Sequence, residues 1–250
     1  MSNTDLTDGV LVVTGGSRGI GAATCVAAAE LGYTVVVNYV SNEQAAVEVV
    51  ADIESAGGRA YAVQADTGSE ADIVRLFETA SSHGQLTGVV NNAGITGRRC
   101  LIEEVDAQTL DRVFSVNISG YFLCAREAIK YMSTKHGGRG GVVVNVSSIA
   151  ARISNAFDWV HYGASKGAVD TFTRGLALEG AEHGIRCNCV RPGMTETDIN
   201  PSDRLEKAAP TIPLKRVAQA QEIAEGIVWF LTPKASYCNG TVMDVTGGRG

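Results

Sequence analysis

Short valine-rich segments alternate along this chain with longer amphipathic or alanine-rich segments. The valine-rich segments lack the apolar–polar alternation of a half-exposed strand, so we expect parallel strands that are covered on both faces. Seven such strands interleaved with six helices predict an α/β fold with helices on both faces of one parallel sheet. The predicted strands are Val10–Thr14, Thr34–Asn38, Ala60–Gln64, Gly88–Asn91, Gly141–Ser147, Ile185–Val190 and Thr241–Val245. The predicted helices are Ile20–Leu31, Glu43–Ala56, Glu70–Ser82, Ala107–Met132, Tyr162–Glu182 and Ala220–Leu231.

One long segment, from Arg191 to Val217, carries no strand or helix signal. It holds four of the five prolines, Pro192, Pro201, Pro210 and Pro213. Compact domains seldom keep so long a loop without a use, and closing over an active site is a common one. Because no Pro/Ser-rich linker divides the chain, we predict one doubly wound domain over residues 1–250, with residues 191–217 as its substrate loop.

Charge and composition exclude several classes of function. Lys and Arg number 21 against 27 Asp and Glu, a net charge of −6, and no long basic run is present, so we expect neither a nucleic-acid nor a membrane partner. The first ten residues show no signal peptide, which favours a cytoplasmic protein. The six cysteines and four histidines form no metal-binding pattern. No metal site is therefore predicted.

The first predicted strand leads directly into a turn with four glycines in seven residues, from Gly15 to Gly21, and a helix follows. Glycine lets the backbone turn sharply and lets a pyrophosphate approach with no Cβ in the way. The N-terminus of the helix then offers free N–H groups and a partial positive charge to that anion. The predicted cofactor contacts here are Gly15, Ser17, Arg18, Gly19, Ile20 and Gly21.

The second predicted strand bears on the choice of dinucleotide. In NAD-binding folds an acidic residue at its end typically binds the adenosine ribose hydroxyls, but this strand ends in Asn38 and Tyr39. A neutral end does not repel a 2′-phosphate, and the Arg18 guanidinium could reach one. Asn38, Tyr39 and Ser41 are therefore predicted cofactor contacts. NADP(H) is favoured, and NAD(H) stays possible.

Tyr162 and Lys166 are four residues apart, so on a helix both side chains lie on one face. An unperturbed tyrosine has a pKa of about 10, too high for a base near neutrality, and lowering it to about 7 requires roughly 4 kcal/mol of preference for the phenolate. An ammonium about 4–5 Å away supplies roughly 3–4 kcal/mol. We therefore expect Lys166 to tune Tyr162 as a general acid/base.

The spacing Gly15-x-x-x-Gly19-x-Gly21, together with Tyr162-x-x-x-Lys166, resembles the short-chain dehydrogenase/reductase family, and the resemblance covers nearly the whole chain. It implies a Rossmann-type fold and hydride transfer between a nicotinamide and a carbonyl or alcohol carbon. By the same resemblance Ser148 polarises the substrate oxygen, and Asn117 kinks the fourth helix and completes a proton relay to Lys166. The family serine usually lies one residue closer to the tyrosine than Ser148 does, so Ser147 stays an alternative.

Other segments of the chain match cofactor contacts of that family. Asp66 and Thr67 correspond to the pair at the adenine ring. The element after the fourth strand contributes Asn92, Ala93 and Gly94. The turn after the sixth strand contributes Pro192 and Gly193 near the nicotinamide, and Thr195 follows at the carboxamide.

Family members commonly form tetramers through the fourth and fifth helices and through the last helix and strand. The resemblance therefore implies a homotetramer, with Trp229, Phe230 and the segment Tyr237–Val245 near a contact.

The predicted function is NADP(H)-dependent interconversion of a carbonyl and a secondary alcohol on a small molecule. Two alternatives stay open within the enzyme class: a sugar or polyol dehydrogenase of the glucose type, and a 3-oxoacyl-[acyl-carrier-protein] reductase. The reductase would present a basic rim to its acidic carrier, for which the candidates are Lys130, Lys135, Arg139 and Arg174. A remote alternative is a non-catalytic sensor of dinucleotides.

Overall fold

Seven parallel strands form one sheet in the computed structural model, which describes residues 6–200 and 202–250. Their spatial order is β3-β2-β1-β4-β5-β6-β7. All seven strands were predicted, and their ends differ from the prediction by a few residues. The strands are β1 (Val10–Val13), β2 (Thr34–Tyr39), β3 (Arg59–Gln64), β4 (Leu86–Asn91), β5 (Gly141–Val146), β6 (Ile185–Pro192) and β7 (Val242–Val245).

Helices cover both faces of the sheet, as predicted for a doubly wound fold. The six predicted helices are all present within the described residues, and the fourth is interrupted. The helices are α1 (Gly19–Glu30), α2 (Glu43–Ser55), α3 (Glu70–Ser82), α4 (Ala107–Phe114), α5 (Gly120–Met132), α6 (Ala150–Ile153), α7 (Val160–Ala181), α8 (Ser202–Ala208) and α9 (Ala220–Leu231).

Strand β1 shows why the strand sequences lack polar alternation. Successive side chains point to opposite faces of a sheet. Leu11 and Val13 enter the core beneath α1, α2 and α9, whereas Val10 and Val12 enter the core beneath α3, α5 and α7. All four are at most 1% exposed. Burying one such side chain contributes about 1.5–3 kcal/mol to the stability of the fold. A polar residue on either face of β1 would therefore lower that stability.

The strand order reverses beside β1, because β2 lies on one side of it and β4 on the other. Helical connections therefore leave the carboxyl ends of β1 and β4 in opposite directions, which opens a crevice at that edge. The glycine turn follows β1 and the Asn92 element follows β4, so both predicted cofactor segments lie at this crevice.

The predicted fourth helix, Ala107–Met132, is interrupted at its centre. Residues Ser115–Ser119 form a π-helical turn between α4 and α5, and Asn117 lies within it. Turns of this kind bulge a helix locally and often occur at functional sites. The distortion expected at Asn117 is confirmed.

The absence of regular structure predicted for residues 191–217 was wrong. Helix α8 lies within this segment, followed by a 3₁₀ turn over Ala209–Thr211. Good helix formers between the prolines support α8, and an ion pair one turn apart, Asp203 to Lys207 at 3.5 Å, adds to it. Pro201 lies outside the described residues.

Candidate active site

A cleft of about 330 Å³ runs along the carboxyl ends of the strands. Most of the predicted site residues line it, although they come from the whole length of the chain. The predicted residues that line the cleft are Gly15, Ser17, Arg18, Gly19, Ile20, Gly21, Tyr39, Ser41, Asp66, Thr67, Asn92, Ala93, Gly94, Ser148, Tyr162, Lys166, Pro192, Gly193 and Thr195. Two predicted residues, Asn38 and Asn117, lie behind the cleft wall.

The glycine turn at one end of the cleft is built for close approach. Gly15 and Gly19 have φ values of 62° and 52°, in the left-handed region that favours glycine. A Cβ on Gly21 would lie 2.1 Å from the Gly15 carbonyl oxygen, so the turn packs directly on the start of α1. No side chain caps that helix end, and its first turn carries no acidic residue. These residues fit the pyrophosphate of a dinucleotide.

Asn38 does not contact the cleft, which corrects its predicted role as a cofactor contact. Its side chain is fully buried, accepts from the Gly15 N–H at 3.1 Å and donates to the Ala65 carbonyl at 2.9 Å. Each strand residue projects from one face of the sheet only, and the Asn38 side chain projects from the face that does not line the cleft. Asn38 thus positions the glycine turn, and Tyr39 is the strand-end residue that faces the cleft.

A second set of hydrogen bonds joins the carboxyl ends of β1 and β4. The Thr14 hydroxyl accepts from the backbone N–H groups of Asn92 and Ala93, at 2.9 and 3.0 Å. The Asn92 side-chain amide donates to the carbonyls of Thr14 and Gly15, at 2.9 and 3.1 Å. The two walls of the crevice are therefore tied to each other.

Two ion pairs lie along the cleft. Asp66 pairs with Arg112 at 3.0 Å, and Arg112 also lines the cleft, although it was not predicted. Arg18 lies 3.8 Å from Asp198, and both side chains are 74% exposed. A pair this exposed contributes little to stability, so the Arg18 guanidinium can exchange this partner for another anion.

The end of the cleft beyond β6 is closed by the strand end and by the segment that follows it. The Thr195 hydroxyl donates to the Gly193 carbonyl at 3.2 Å, and Asn200 donates to the Thr195 carbonyl at 2.9 Å. A Cβ on Gly193 would lie 2.8 Å from the Thr246 Cα, so the turn at this strand end requires glycine. The predicted contacts at this end are thereby held against the C-terminal strand.

Tyr162 and Lys166 lie one turn apart near the start of α7, and both face the cleft. The Ser148 hydroxyl hydrogen-bonds the Tyr162 phenol. Ser147 is buried and its hydroxyl donates instead to the Lys166 carbonyl at 3.0 Å. Of the two serines, Ser148 is therefore the one whose hydroxyl meets the phenol.

Lys166 is held by contacts that the sequence analysis did not anticipate. The residue is 3% exposed, and its ammonium donates to the Val146 carbonyl at 2.8 Å and to the Tyr121 hydroxyl at 3.1 Å. The Tyr121 hydroxyl donates in turn to the same carbonyl at 2.9 Å. Tyr121 follows Asn117 by one helical turn, and that spacing was the available signal for it.

The expected lowering of the Tyr162 pKa by Lys166 is not found. Burial raises the pKa of Tyr162, and the Ser148 hydrogen bond and the Arg204 charge only partly offset this effect. The Lys166 ammonium lies 5.8 Å from the centre of the Tyr162 ring and is directed at other acceptors. Burial also lowers the pKa of Lys166 to about 8.

Asn117 is fully buried, and its side chain connects two elements of the site. Its amide donates to the Ile95 carbonyl at 2.9 Å and to the Ser165 hydroxyl at 3.0 Å. Its oxygen accepts from the Ile95 N–H at 2.9 Å. A Cβ on Gly94 would lie 3.3 Å from the Lys166 ammonium and 3.5 Å from the Asn117 oxygen, so Gly94 leaves room beside both.

Three other features of the described residues bear on the kind of site. No group of three or more His, Cys, Asp or Glu side chains is placed to hold a metal ion among them. All six cysteines are free, and every one except the half-buried Cys238 is buried. No helix in the described part of the chain could cross a membrane.

Comparison with known sequences gives consistent matches over the length of the chain. A model of the short chain dehydrogenase family matches residues 9–208. The uncharacterized oxidoreductase YgfF of Escherichia coli (strain K12) is 48% identical over 245 residues, 96% of this chain and 99% of that protein. A 3-oxoacyl-[acyl-carrier-protein] reductase of Synechocystis is 38% identical over 98% of each chain. Glucose 1-dehydrogenase 2 of Bacillus subtilis is 36% identical over 98% of this chain and 95% of that protein.

Solved structures match equally well. A dehydrogenase/reductase from Sinorhizobium meliloti 1021 superposes with a TM-score of 0.91 at 34% identity, covering 98% of this chain and 96% of that one. A blue fluorescent protein from a metagenomic library, in complex with NADPH, superposes with a TM-score of 0.89 at 33% identity, covering 98% and 99%.

Proposed function

The chain belongs to the short-chain dehydrogenase family, and we propose that it interconverts a carbonyl compound and a secondary alcohol with NADP(H). As a member of that family it is an oxidoreductase that acts on alcohol or carbonyl groups with a nicotinamide dinucleotide. One observation carries the finer proposal. The Tyr162 phenol, hydrogen-bonded to Ser148, opens onto the same cleft as the uncapped helix behind the glycine turn.

In this proposal the bound dinucleotide supplies or accepts the hydride. Tyr162 gives a proton to the carbonyl oxygen, or takes one from the alcohol. Ser148 donates a hydrogen bond to the same oxygen and stabilises the charge that develops on it. The Ser148 hydroxyl and the positive charge of Arg204 favour the phenolate form of Tyr162. Asn117 completes the relay that returns protons to Lys166. A sensor without turnover would need none of these groups beside the cleft.

Substitutions at the two serines and at Tyr162 test these roles. Tyr162→Phe should lower kcat at least a hundredfold, because general acid–base catalysis contributes about 10²–10⁴-fold, while NADPH still binds. Ser148→Ala should lower kcat by a similar factor, and Ser147→Ala by much less, since Ser147 bonds a backbone carbonyl. Steady-state kinetics and NADPH fluorescence titrations measure both effects. Full turnover by Tyr162→Phe contradicts the mechanism, and a larger loss at Ser147 reverses the serine assignment.

Tyr121→Phe tests whether the charge on Lys166 matters to the reaction. The substitution removes one of the two hydrogen-bond acceptors that the described residues offer the ammonium, which disfavours the charged form and moves the pKa of Lys166 below about 8. A hydrogen bond to a charged group contributes about 1.5–3 kcal/mol. The alkaline limb of the kcat/KM profile should therefore move about one pH unit lower. Tyr131→Phe, on the same helix but outside the cleft lining, is the matched control, and an unchanged profile for Tyr121→Phe refutes the role.

The preference for NADP(H) is supported by the residues at the adenosine end. The residues at and just after the end of β2 that line the cleft are Tyr39, Val40, Ser41 and Asn42, and none of them is acidic. The exposed Arg18 guanidinium stands at the same end with only a long, solvated ion pair. A structural relative that holds NADPH is consistent with this preference.

Arg18→Glu tests that preference. Replacing the cation by an anion should raise the KM for NADPH at least tenfold, since a charge-assisted contact contributes about 1.5–3 kcal/mol. The KM for NADH should change by less than about threefold, because NADH carries no 2′-phosphate. Initial rates with both dinucleotides give the comparison, and Arg75→Glu, on α3 and outside the cleft, controls for net charge. Equal changes for both dinucleotides remove Arg18 from the argument.

The two more specific enzymes remain proposals of lower rank. Two of the four residues of the expected carrier-protein rim are neutralised, since Lys130 pairs with Glu127 at 2.9 Å and Arg139 with Asp8 at 3.0 Å. A carbonyl and alcohol panel with NADPH and NADP⁺ that includes an acyl thioester and glucose separates these reactions.

We also propose a cytoplasmic homotetramer. Free thiols suit a reducing compartment. Apolar side chains are exposed on α5 and α7, where Phe122 is 51% and Leu178 78% exposed, and Tyr237 is fully exposed before β7. Phe230, expected near a contact, is instead fully buried in its own chain. Light scattering should give four times the chain mass of 26.1 kDa, and a monomer refutes the assembly.

A further inference from the structure

An arginine cluster lies beside Tyr162 at the substrate side of the cleft. Arg204, on α8, places its guanidinium 4.6 Å from the centre of the Trp159 ring, and Arg99 approaches the same ring at 5.8 Å. Arg204 and Arg249 both line the cleft with Tyr162. Positively charged groups thus converge where the substrate must lie if Tyr162 is the acid/base.

The cluster has too few carboxylates to balance it. Asp158 pairs closely with Arg99 and lies 3.9 Å from Arg204, which is near the limit for an ion pair. Within the described residues Arg249 makes no ion pair. The acidic side chains that line the cleft, Asp66 and Asp198, pair with Arg112 and Arg18. One aspartate side chain, Asp158, therefore lies near two of these guanidiniums, and no acidic side chain of the described residues pairs with Arg249.

Burial makes this imbalance costly. The Arg204 side chain is only 24% exposed, and burial lowers its pKa; the charges of Arg99 and Arg249 act in the same direction, and Asp158 partly offsets them. A partly buried cation without a close partner is stabilised by any anion that reaches it. Its planar guanidinium matches the geometry of a carboxylate or a phosphate.

Apolar side chains form much of this wall, beside the amides of Asn155 and Asn200. Ile149, Ile153, Met194 and Ile199 line the cleft near Ser148 and the segment after β6. These side chains offer no hydrogen bonds to a sugar with many hydroxyls. The wall suits a short apolar body with one charged end.

We propose that the substrate carries an anionic oxygen group, a carboxylate or a phosphate, which Arg204 and Arg249 hold while its carbonyl or carbinol carbon lies at Tyr162. This inference rests on the proposed function and names the substrate class of the same site. It favours small oxo acids or phosphorylated ketones over uncharged sugars.

Matched substrate pairs test the inference. The first pair is 3-oxobutanoate and its ethyl ester, and the second is dihydroxyacetone phosphate and dihydroxyacetone, all assayed with NADPH. In at least one pair, the charged member should have a kcat/KM at least tenfold higher than its neutral partner. The pair that shows this difference distinguishes a carboxylate site from a phosphate site. Equal or higher values for both neutral members overturn the proposal, yet their turnover leaves the proposed reductase function intact.

Variants that remove one positive charge test whether the preference for charged substrates depends on the arginines. Arg204→Met and Arg249→Met should each reduce the charged-to-neutral ratio of kcat/KM at least tenfold, and Arg204→Lys should retain part of it. Arg75→Met, at an exposed ion pair on α3, should leave the ratio unchanged. Ratios unchanged in both cluster variants overturn the proposal.

Binding of an unreactive anion gives a readout that does not require turnover. Butyrate and butyramide are titrated against the protein with NADP⁺ bound, and tryptophan fluorescence is followed because Trp159 lies against Arg204. Butyrate, or inorganic phosphate, should bind at least tenfold more tightly than butyramide, and Arg204→Met should abolish the difference. Binding of butyramide as tight as that of both anions overturns the anion site. If the anions bind as expected and no carbonyl compound is reduced, the proposed function fails and the anion site stands.

Discussion

A buried ammonium determines how the centre of this protein is built. Lys166 lies on a helix that packs against the sheet, and removing its charge from water would cost several kcal/mol without hydrogen-bond acceptors. The end of β5 supplies a carbonyl and α5 supplies the Tyr121 hydroxyl. A strand end, the helix after a π-helical turn and the helix that carries Tyr162 must therefore meet at one point. The position of Tyr162 in the cleft follows from that requirement.

The packing around Lys166 also changes how Lys166 and Tyr162 affect each other's pKa. Electrostatics at an assumed distance of about 4–5 Å predicted a phenol made acidic by its neighbour. In the structure Lys166 is buried and Tyr162 is half-buried, so each neutral form is favoured, and Ser148 and Arg204 are the groups that oppose this effect at the phenol. The sequence supplied the identity of the two side chains and the shared helix face. It could not supply the burial, which depends on packing by residues distant in the chain.

The sheet was predictable because its signal is local: strands buried on both faces must be apolar throughout. The glycine turn was predictable for the same reason, since its backbone angles restrict the residue type. The side on which a strand-end residue points is not a local property, so the sequence did not show that Tyr39 lines the cleft and that the Asn38 side chain does not. Helix α8 was missed because flanking prolines obscured seven residues of ordinary helical sequence. Arg204 and Tyr121 became evident only when tertiary contacts placed them beside Tyr162 and Lys166.

The cysteines give the fold a practical property. Burial raises the pKa of the Cys124 and Cys189 thiols to about 12, so almost none of either is present as the reactive thiolate at neutral pH. Cys25 and Cys187 are fully buried and shifted in the same direction, and Cys100 is buried too. Cys238, in the turn between α9 and β7, is left as the accessible sulfur of the described chain. A maleimide dye would therefore label the unassembled chain at one defined position, with no cysteine engineering needed beforehand.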